Sequence, residues 1–229
     1  MGGPRILVLS PHLDDGVFSI GAFIASAVAD GAHVTILTIF GGDPDSAEKA
    51  GRWDLRAGFG TAGEAARRRR EEDRAACGRL GAIPEWLPFA DKDYAAARNA
   101  EEIWDRLAPQ LQTANLVFTP GRPLIHPDHA WLAELVSQRF TDWSKLVAYA
   151  ELPYDAWPNK EKVHRSTLGE LTAERIWVAP QVSVRARLAK WRSTGAYSSQ
   201  LPWLTRGASY RQAVLKTRLG HERIAWPRA

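Results

Sequence analysis

Two apolar runs, each followed at once by histidines and aspartates, limit the folds open to this chain more than any other feature. Residues 6–9 read Ile-Leu-Val-Leu, and residues 115–120 read Asn-Leu-Val-Phe-Thr-Pro. An uninterrupted apolar run is typical of a strand covered on both faces of a parallel sheet. The segments directly behind these runs read Ser-Pro-His-Leu-Asp-Asp-Gly and Gly-Arg-Pro-Leu-Ile-His-Pro-Asp-His. Both segments would therefore lie at the sheet edge where open α/β proteins bind ligands.

Strand and helix patterns alternate through the first 150 residues. This alternation predicts an α/β fold, a Rossmann-like and mostly parallel sheet flanked by helices. A glycine-rich stretch over residues 41–63 is predicted to be a long loop. The predicted strands cover residues 6–9, 33–40, about 85–89, 115–120 and 145–150, and the predicted helices cover about 15–30, 64–81, 94–111 and 127–140.

The signals weaken after residue 150. Strands are expected near 160–166 and 175–179, a helix near 182–193, and a mixed tail beyond it. We expect a single domain over residues 1–229, with a Rossmann-like core (1–150) and a C-terminal α+β extension (151–229) that closes the site.

Composition limits the partners and the compartment. The chain has 30 Lys and Arg against 26 Asp and Glu, and its dense basic run at 67–70 is followed directly by acids, so we expect no nucleic-acid partner. No apolar run reaches the roughly 18 residues of a membrane span, and Met-Gly-Gly-Pro-Arg at residues 1–5 lacks the long apolar segment of a signal peptide, so we expect neither feature. With Cys77 as the single cysteine, these features predict a cytoplasmic protein. Ten tryptophans leave open both a substrate pocket lined by aromatic rings and a homo-oligomer interface.

The two polar segments together predict a catalytic metal site. If the first and fourth strands are neighbours, six side chains meet at one edge of the sheet, and two histidines with one aspartate suit a divalent cation with an open position for water. A remaining carboxylate could take a proton, and a remaining histidine could stabilise an oxyanion. Each segment also has a purely structural interpretation, as a helix N-cap or a proline-initiated helix. The six residues are His12, Asp14, Asp15, His126, Asp128 and His129.

These motifs resemble those of a known enzyme family. Pro-His-Leu-Asp-Asp-Gly followed by His-Pro-Asp-His is similar to the paired motifs of the PIG-L/LmbE-like zinc-dependent N-acetylglucosaminyl deacetylases. Arg69 and Glu72 resemble the Arg-x-x-Glu helix of the family, and Asp91 resembles its substrate-contacting acid. The segments Ala-Tyr-Ser-Ser-Gln and His-Glu-Arg-Ile-Ala-Trp near the end extend the likeness over nearly the whole chain.

The resemblance implies a role for each matching residue. His12, Asp15 and His129 would hold Zn²⁺, although Fe²⁺, Co²⁺ or Ni²⁺ suits similar ligands. Asp14 would be the general base that activates the metal-bound water. His126 would stabilise the tetrahedral intermediate, and Asp128 would orient an imidazole. Arg69 and Asp91 would contact the substrate.

The chain departs from the family pattern at three positions. Gly16 stands where the family usually has Glu, Leu13 stands where Pro is usual, and Leu124 replaces a Tyr that helps some members to bind the oxyanion. The two polar segments together make metal-dependent hydrolysis the leading hypothesis. The bond hydrolysed would be an N-acetyl or other N-acyl amide on a small amino-sugar or glycoconjugate substrate. The alternatives are an amidase acting on a bulkier natural-product or thiol conjugate, and a sugar-binding module without catalysis.

Overall fold

The computed structural model describes residues 2–95, 97–157, 175–205 and 208–227, and within these ranges seven strands form one sheet. The strands are β1 (Arg5–Ser10), β2 (His33–Thr38), β3 (Ile83–Trp86), β4 (Leu116–Arg122), β5 (Leu146–Ala150), β6 (Trp177–Val178) and β7 (Ile224–Ala225). Their spatial order is β3-β2-β1-β4-β5-β7-β6. The first five strands are parallel, and β7 runs antiparallel to both β5 and β6. The predicted α/β fold with a mostly parallel sheet is confirmed, and β1 and β4 are direct neighbours.

Helices flank this sheet. They are α1 (Asp15–Ala29), α2 (Arg52–Arg56), α3 (Ala62–Leu80), α4 (Ala100–Thr113), α5 (Pro127–Arg139), α6 (Val184–Thr194), α7 (Leu201–Leu204) and α8 (Ala208–Arg218), and one turn of 3-10 helix covers Tyr154–Ala156. None of the helices in the described ranges is long and apolar enough to cross a membrane.

The core lies on both faces of the sheet because side chains of a strand alternate in direction. Leu7 and Leu9 of β1 join one buried cluster, which also contains apolar residues of α4 and α5. Ile6 and Val8 join the other, which contains residues of α1 and α3 and includes the buried Cys77. The β1 strand is therefore covered on both faces, as its apolar run predicts.

Local signals account for the ends of several helices. The Thr61 hydroxyl accepts the Glu64 N–H at the start of α3 (3.1 Å). Gly81 ends the same helix with a φ of 76°, a conformation that glycine adopts without a steric penalty. Asn99 caps α4 by accepting the Glu102 N–H at 3.2 Å. A helix starting near residue 94 was therefore the wrong expectation, because the cap places the start at Ala100.

Two further expectations need correction or fall outside the described residues. The stretch 41–63 is interrupted by α2, so it is not a continuous loop. The strand expected near 160–166 lies outside the described residues. The strand and helix expected near 175–179 and 182–193 correspond to β6 and α6, and β6 joins the core sheet through β7.

Helix α1 is interrupted at Ile20, and the side chain of Glu222 accepts hydrogen bonds from backbone N–H groups beyond the interruption. Ile20 has non-helical dihedral angles (φ −135°, ψ 26°), which leaves N–H groups beyond it without helical acceptors. The Glu222 carboxylate accepts the N–H groups of Ala22 (2.7 Å) and Phe23 (2.9 Å). It also forms an ion pair with Lys190 (2.7 Å), and both side chains are buried. The C-terminal part of the chain thereby completes the first helix.

Candidate metal centre and active-site pocket

Three segments meet where β1, β4 and β5 end. The loop behind β1 carries His12, Asp14 and Asp15, and the start of α5 behind β4 carries the second group of predicted residues. Pro127 occupies the first turn of α5, where its missing N–H has no helical partner. The structure brings all six predicted residues together, because parallel neighbouring strands end at the same edge of the sheet.

Three of the donor atoms converge closely. His12 Nδ1 and His129 Nε2 lie 3.1 Å apart. Asp15 Oδ2 lies 3.3 Å from the former and 3.1 Å from the latter. The carboxylate also accepts the backbone N–H of His12 at 2.8 Å, which fixes its direction. A nitrogen from His126 lies near these atoms, and the three imidazoles offer ligand atoms within 4.8 Å of one another.

Glu151 is a site residue that the sequence analysis missed. It follows β5 directly, and its carboxylate accepts a hydrogen bond from His129 Nδ1. Its other oxygen accepts the Leu124 N–H at 2.8 Å, and the side chain is buried. A carboxylate on the far nitrogen of an imidazole is the usual partner of a metal-binding histidine, because it fixes the ring and leaves the near nitrogen free. An acid directly behind a third apolar run was the available signal.

Asp128 is the carboxylate partner of the far nitrogen of His12, as Glu151 is for His129. The Asp128 Oδ2 atom lies 2.9 Å from His12 Nε2 and accepts the Lys92 N–H at 3.3 Å. Arg98 forms an ion pair with the other oxygen of this fully buried carboxylate. Arg98 is a second missed residue, and its guanidinium lies over the rings of Phe40 and Trp131. The imidazole that Asp128 contacts most closely is that of His12, since His126 Nδ1 is 3.8 Å away.

Asp15 and His129 each stabilise the charged form of the other. Burial opposes ionisation of Asp15, but the nearby His129 and His12 lower the pKa of its carboxyl below the ordinary value. Burial alone would lower the pKa of His129, but the Asp15 and Glu151 carboxylates outweigh this effect and raise the pKa to about 10. The site therefore holds concentrated negative charge that a cation can neutralise.

Asp14 occupies the N-cap position of α1 without acting as a cap. Its side chain makes no cap hydrogen bond and instead lines the pocket. Burial and the adjacent Asp15 carboxylate raise the pKa of Asp14 to about 7. The structural interpretation of this residue as a helix cap is thus contradicted by the geometry.

His126 lies at the pocket surface beside the other two histidines. Its Nδ1 accepts the Asp128 N–H at 3.3 Å. Burial and the two neighbouring histidines lower the pKa of His126 to about 2. A neutral imidazole whose Nδ1 is an acceptor carries its hydrogen on Nε2, so this ring can donate a hydrogen bond from Nε2.

Both predicted substrate contacts lie in the pocket wall. Arg69 and Asp91 line the cavity together with the metal-site residues. The Arg69 guanidinium forms an ion pair with the buried Asp54, which sequence reasoning missed. Tyr94 donates its hydroxyl hydrogen to the same carboxylate. The remaining part of the wall is formed by Phe18, Trp53, Lys92, Asp93, Tyr94, Pro153, Tyr154, Gln200 and Leu204.

The three departures from the family pattern have specific structural settings. A Cβ at Gly16 would meet Val8 at 3.3 Å and Ile36 at 3.4 Å, so this position faces the core. Leu13 is buried. Leu124 has a φ of 56° and a fully buried side chain, and its backbone N–H is held by Glu151. Position 124 therefore contributes no side chain to the pocket described above.

Residues 7–140 match the family model described as PIG-L: GlcNAc-PI de-N-acetylase. This range contains both histidine-aspartate motifs and the helix that carries Arg69. The chain belongs to the PIG-L family. The family recognised from the paired motifs is thereby confirmed.

Three proteins similar to this PIG-L chain are deacetylases. A 2'-N-acetylparomamine deacetylase from Streptomyces fradiae is 43% identical over 89 residues, which is 38% of this chain and 29% of that relative, so the match spans well under two thirds of its length. The A40926 pseudoaglycone deacetylase has a solved structure that is 28% identical, with a TM-score of 0.76, covering 98% of this chain and 96% of that one. A zinc-inhibited form of teicoplanin deacetylase shares the fold at 23% identity, with a TM-score of 0.78 and 97% of each chain covered.

Proposed function

We propose that this protein is a metal-dependent hydrolase that removes an N-acetyl or other N-acyl group from an amino-sugar substrate. The observation that carries the proposal is the convergence of His12 Nδ1, His129 Nε2 and Asp15 Oδ2 within 3.3 Å of one another, with the Asp14 carboxylate beside them in the pocket. The deacetylases among its relatives, including those acting on 2'-N-acetylparomamine and on the A40926 pseudoaglycone, support this choice.

The donor set fits a divalent cation. His12, Asp15 and His129 would hold it, and each imidazole already has a carboxylate on its far nitrogen. Two nitrogens and one carboxylate oxygen suit Zn²⁺, while Fe²⁺, Co²⁺ and Ni²⁺ accept similar ligands. When bound, the cation supplies a Lewis acid that polarises a carbonyl group and makes water more acidic.

Asp14 is the general base in this proposal. Its carboxylate lies in the pocket next to the metal ligands and carries no capping hydrogen bond, so it is available to accept a proton from the attacking water. The same group can then return the proton to the leaving amine. Asp15 is committed to His12 and His129 and cannot take this role.

His126 stabilises the negative charge that develops on the carbonyl oxygen. Its Nδ1 accepts the Asp128 N–H, which leaves Nε2–H as the donor. Asp128 positions this residue through its backbone and His12 through its carboxylate. Arg69 and Asp91 in the pocket wall contact the hydroxyl groups of the sugar.

A second candidate activity is hydrolysis of a bulkier N-acyl conjugate. Trp53, Pro153, Tyr154 and Leu204 give the pocket an apolar part that could cover a long acyl chain or an aromatic group. Equal amounts of enzyme assayed on N-acetyl and long-chain N-acyl forms of one amino sugar distinguish the two candidates.

The decisive experiment measures metal content and hydrolysis in the same preparations. Wild type should hold about one zinc per chain, and His129→Ala should lose both metal and activity. Asp14→Asn should keep the metal while turnover falls at least about a hundredfold, as expected for loss of a general base. His126→Ala should also keep the metal and lose turnover, because His126 is not assigned as a ligand.

Asp30→Asn, at the exposed opposite end of α1, is the matched control and should behave as wild type. Near-normal activity in Asp14→Asn would refute the assigned base. Metal binding without turnover on any N-acyl sugar would instead favour a binding module. Loss of metal in His126→Ala would add His126 to the ligand set and refute its assignment as the group that only stabilises the oxyanion.

A further inference from the structure

The short helix α2 places an aromatic ring in the pocket wall and connects it to a buried carboxylate. Trp53 Nε1 donates to Gln200 Oε1 at 2.9 Å. Gln200 Nε2 donates to Ser199 Oγ at 3.0 Å, and this hydroxyl donates to Glu72 Oε2 at 2.7 Å. Glu72 is 3% exposed, so the chain of hydrogen bonds that begins at the indole ends in the protein interior.

The same helix is also held on its other side. Asp54 is buried, forms an ion pair with Arg69 and accepts the Tyr94 hydroxyl hydrogen. The Tyr94 oxygen in turn accepts the Gly51 N–H at 2.7 Å, directly before α2. Five residues form too short a helix to be stable alone, so these contacts hold it in place. The Trp53 ring is therefore pre-organised in the wall.

The proposed chemical steps use neither Trp53 nor Gln200, and Trp53 has so far been considered only as part of an apolar wall, although both residues line the cavity that contains Asp14 and His126. A flat indole face packs well against the C–H face of a saturated ring. The nearby wall residues Gln200, Asp91 and Asp93 are polar, which suits a ring with hydroxyl or amino substituents better than an alkyl chain.

We propose that Trp53 forms a subsite for a second saturated ring of the substrate, attached to the sugar that carries the N-acyl group. Gln200 is a positioning residue that holds the indole in the wall. This inference rests on the proposed deacetylase function and assigns Trp53 as the residue that favours a two-ring substrate over a single sugar.

The test compares kcat/KM for 2'-N-acetylparomamine, which has two rings, with kcat/KM for N-acetylglucosamine, which has one. Trp53→Ala should lower the ratio of these two values about tenfold, since it removes the packing surface of a whole aromatic ring. Trp53→Phe keeps part of that surface and should lower the ratio about threefold. The loss should be in KM for the two-ring substrate rather than in kcat.

Gln200 is tested by a pair of variants. Gln200→Met removes the acceptor of the indole N–H and should lower the same ratio, whereas Gln200→Glu keeps an acceptor oxygen and should restore it. Trp226→Ala is the matched control, because Trp226 is 40% exposed and packs against Phe23 and Phe118 away from this pocket. It should leave the ratio at the wild-type value.

The possible outcomes distinguish a failure of the Trp53 subsite from a failure of the proposed deacetylase function. A ratio that falls in Trp53→Ala but not in Trp226→Ala supports the subsite. Hydrolysis of both sugars with an unchanged ratio in Trp53→Ala overturns the subsite and leaves the proposed function intact. No hydrolysis of either sugar by metal-loaded wild type overturns the deacetylase assignment and the subsite with it.

Discussion

Replacing Glu222 by Gln should destabilise the fold strongly, although this residue lies outside the candidate metal centre. The carboxylate forms an ion pair with Lys190 at 2.7 Å, and the two side chains are 1% and 0% exposed. Removing one partner of a buried pair leaves an uncompensated charge and costs about 3–5 kcal/mol. The amide also fits less well against the N–H groups of Ala22 and Phe23, which adds to the loss.

Urea unfolding at pH 7 measures this effect. With a urea m-value of about 3 kcal/mol/M, a loss of 3 kcal/mol lowers the midpoint by roughly 1 M at constant m. The double variant Lys190→Met/Glu222→Gln contains no unpaired charge, so it should be more stable than Glu222→Gln alone. Glu101→Gln breaks the exposed ion pair with Arg139 and is the control, with a midpoint close to wild type.

The pH dependence gives an independent check. Burial lowers the pKa of Lys190 below its ordinary value, and Glu222 opposes this shift. A lysine whose folded pKa is depressed makes stability rise with pH up to its unfolded pKa, because the unfolded chain then binds more protons. Glu222→Gln should therefore recover stability as pH rises toward 10. A midpoint loss worth less than about 1 kcal/mol, or additive effects in the double variant, would refute the reasoning.

Three further predictions concern other parts of the molecule. Glu151→Gln weakens the acceptor of the His129 Nδ1–H bond and should lower metal affinity about 10- to 100-fold in a chelator competition. Burial raises the pKa of Asp73 from 3.8 to about 6, so between these pH values the folded protein holds a proton that the unfolded chain releases. The free energy of unfolding should therefore fall by up to about 3 kcal/mol as the pH rises from 4 to 6. Asp73→Asn should remove this pH dependence from urea midpoints measured across that range. Gly81→Ala places a Cβ 2.8 Å from Val28 Cγ1 at a φ of 76° and should lower the thermal midpoint by several degrees, whereas Gly78→Ala, which meets nothing within 4 Å, should not.

The sequence predicted the sheet and the meeting of the two polar segments at one of its edges because the signals for both are local and repeated. Two buried strands followed by similar polar segments indicate one sheet edge, whatever the intervening chain does. The boundaries of α3 also follow from local chemistry, with a threonine cap at its start and Gly81 at its end. Features of this kind can be predicted because each depends on residues that lie close together in the sequence.

The missed residues depend on partners far along the chain. Glu151 follows a third apolar run, but it is a single acid without a neighbouring histidine, so this signal is weaker than those of the two histidine-aspartate segments and its role becomes evident only from its contact with His129. Arg98 lies in an alanine-rich stretch whose composition favours helix, and its contact with Asp128 is 30 residues away in sequence. Helix α2 is too short to show a hydrophobic period. The roles of these residues depend on tertiary contacts that a local pattern indicates weakly or not at all.

The position of β7 in the sheet affects the order in which the protein can be assembled during translation. Among the described strands, β6 reaches the sheet only through its pairing with β7, whose residues leave the ribosome almost fifty positions later. Until then the β5 edge beside Glu151 has no partner among the described strands on that side. An unpaired edge can recruit strands from other chains, and contacts between distant residues form slowly. A nascent chain that stalls before residue 224 would therefore present an aggregation-prone edge next to Glu151.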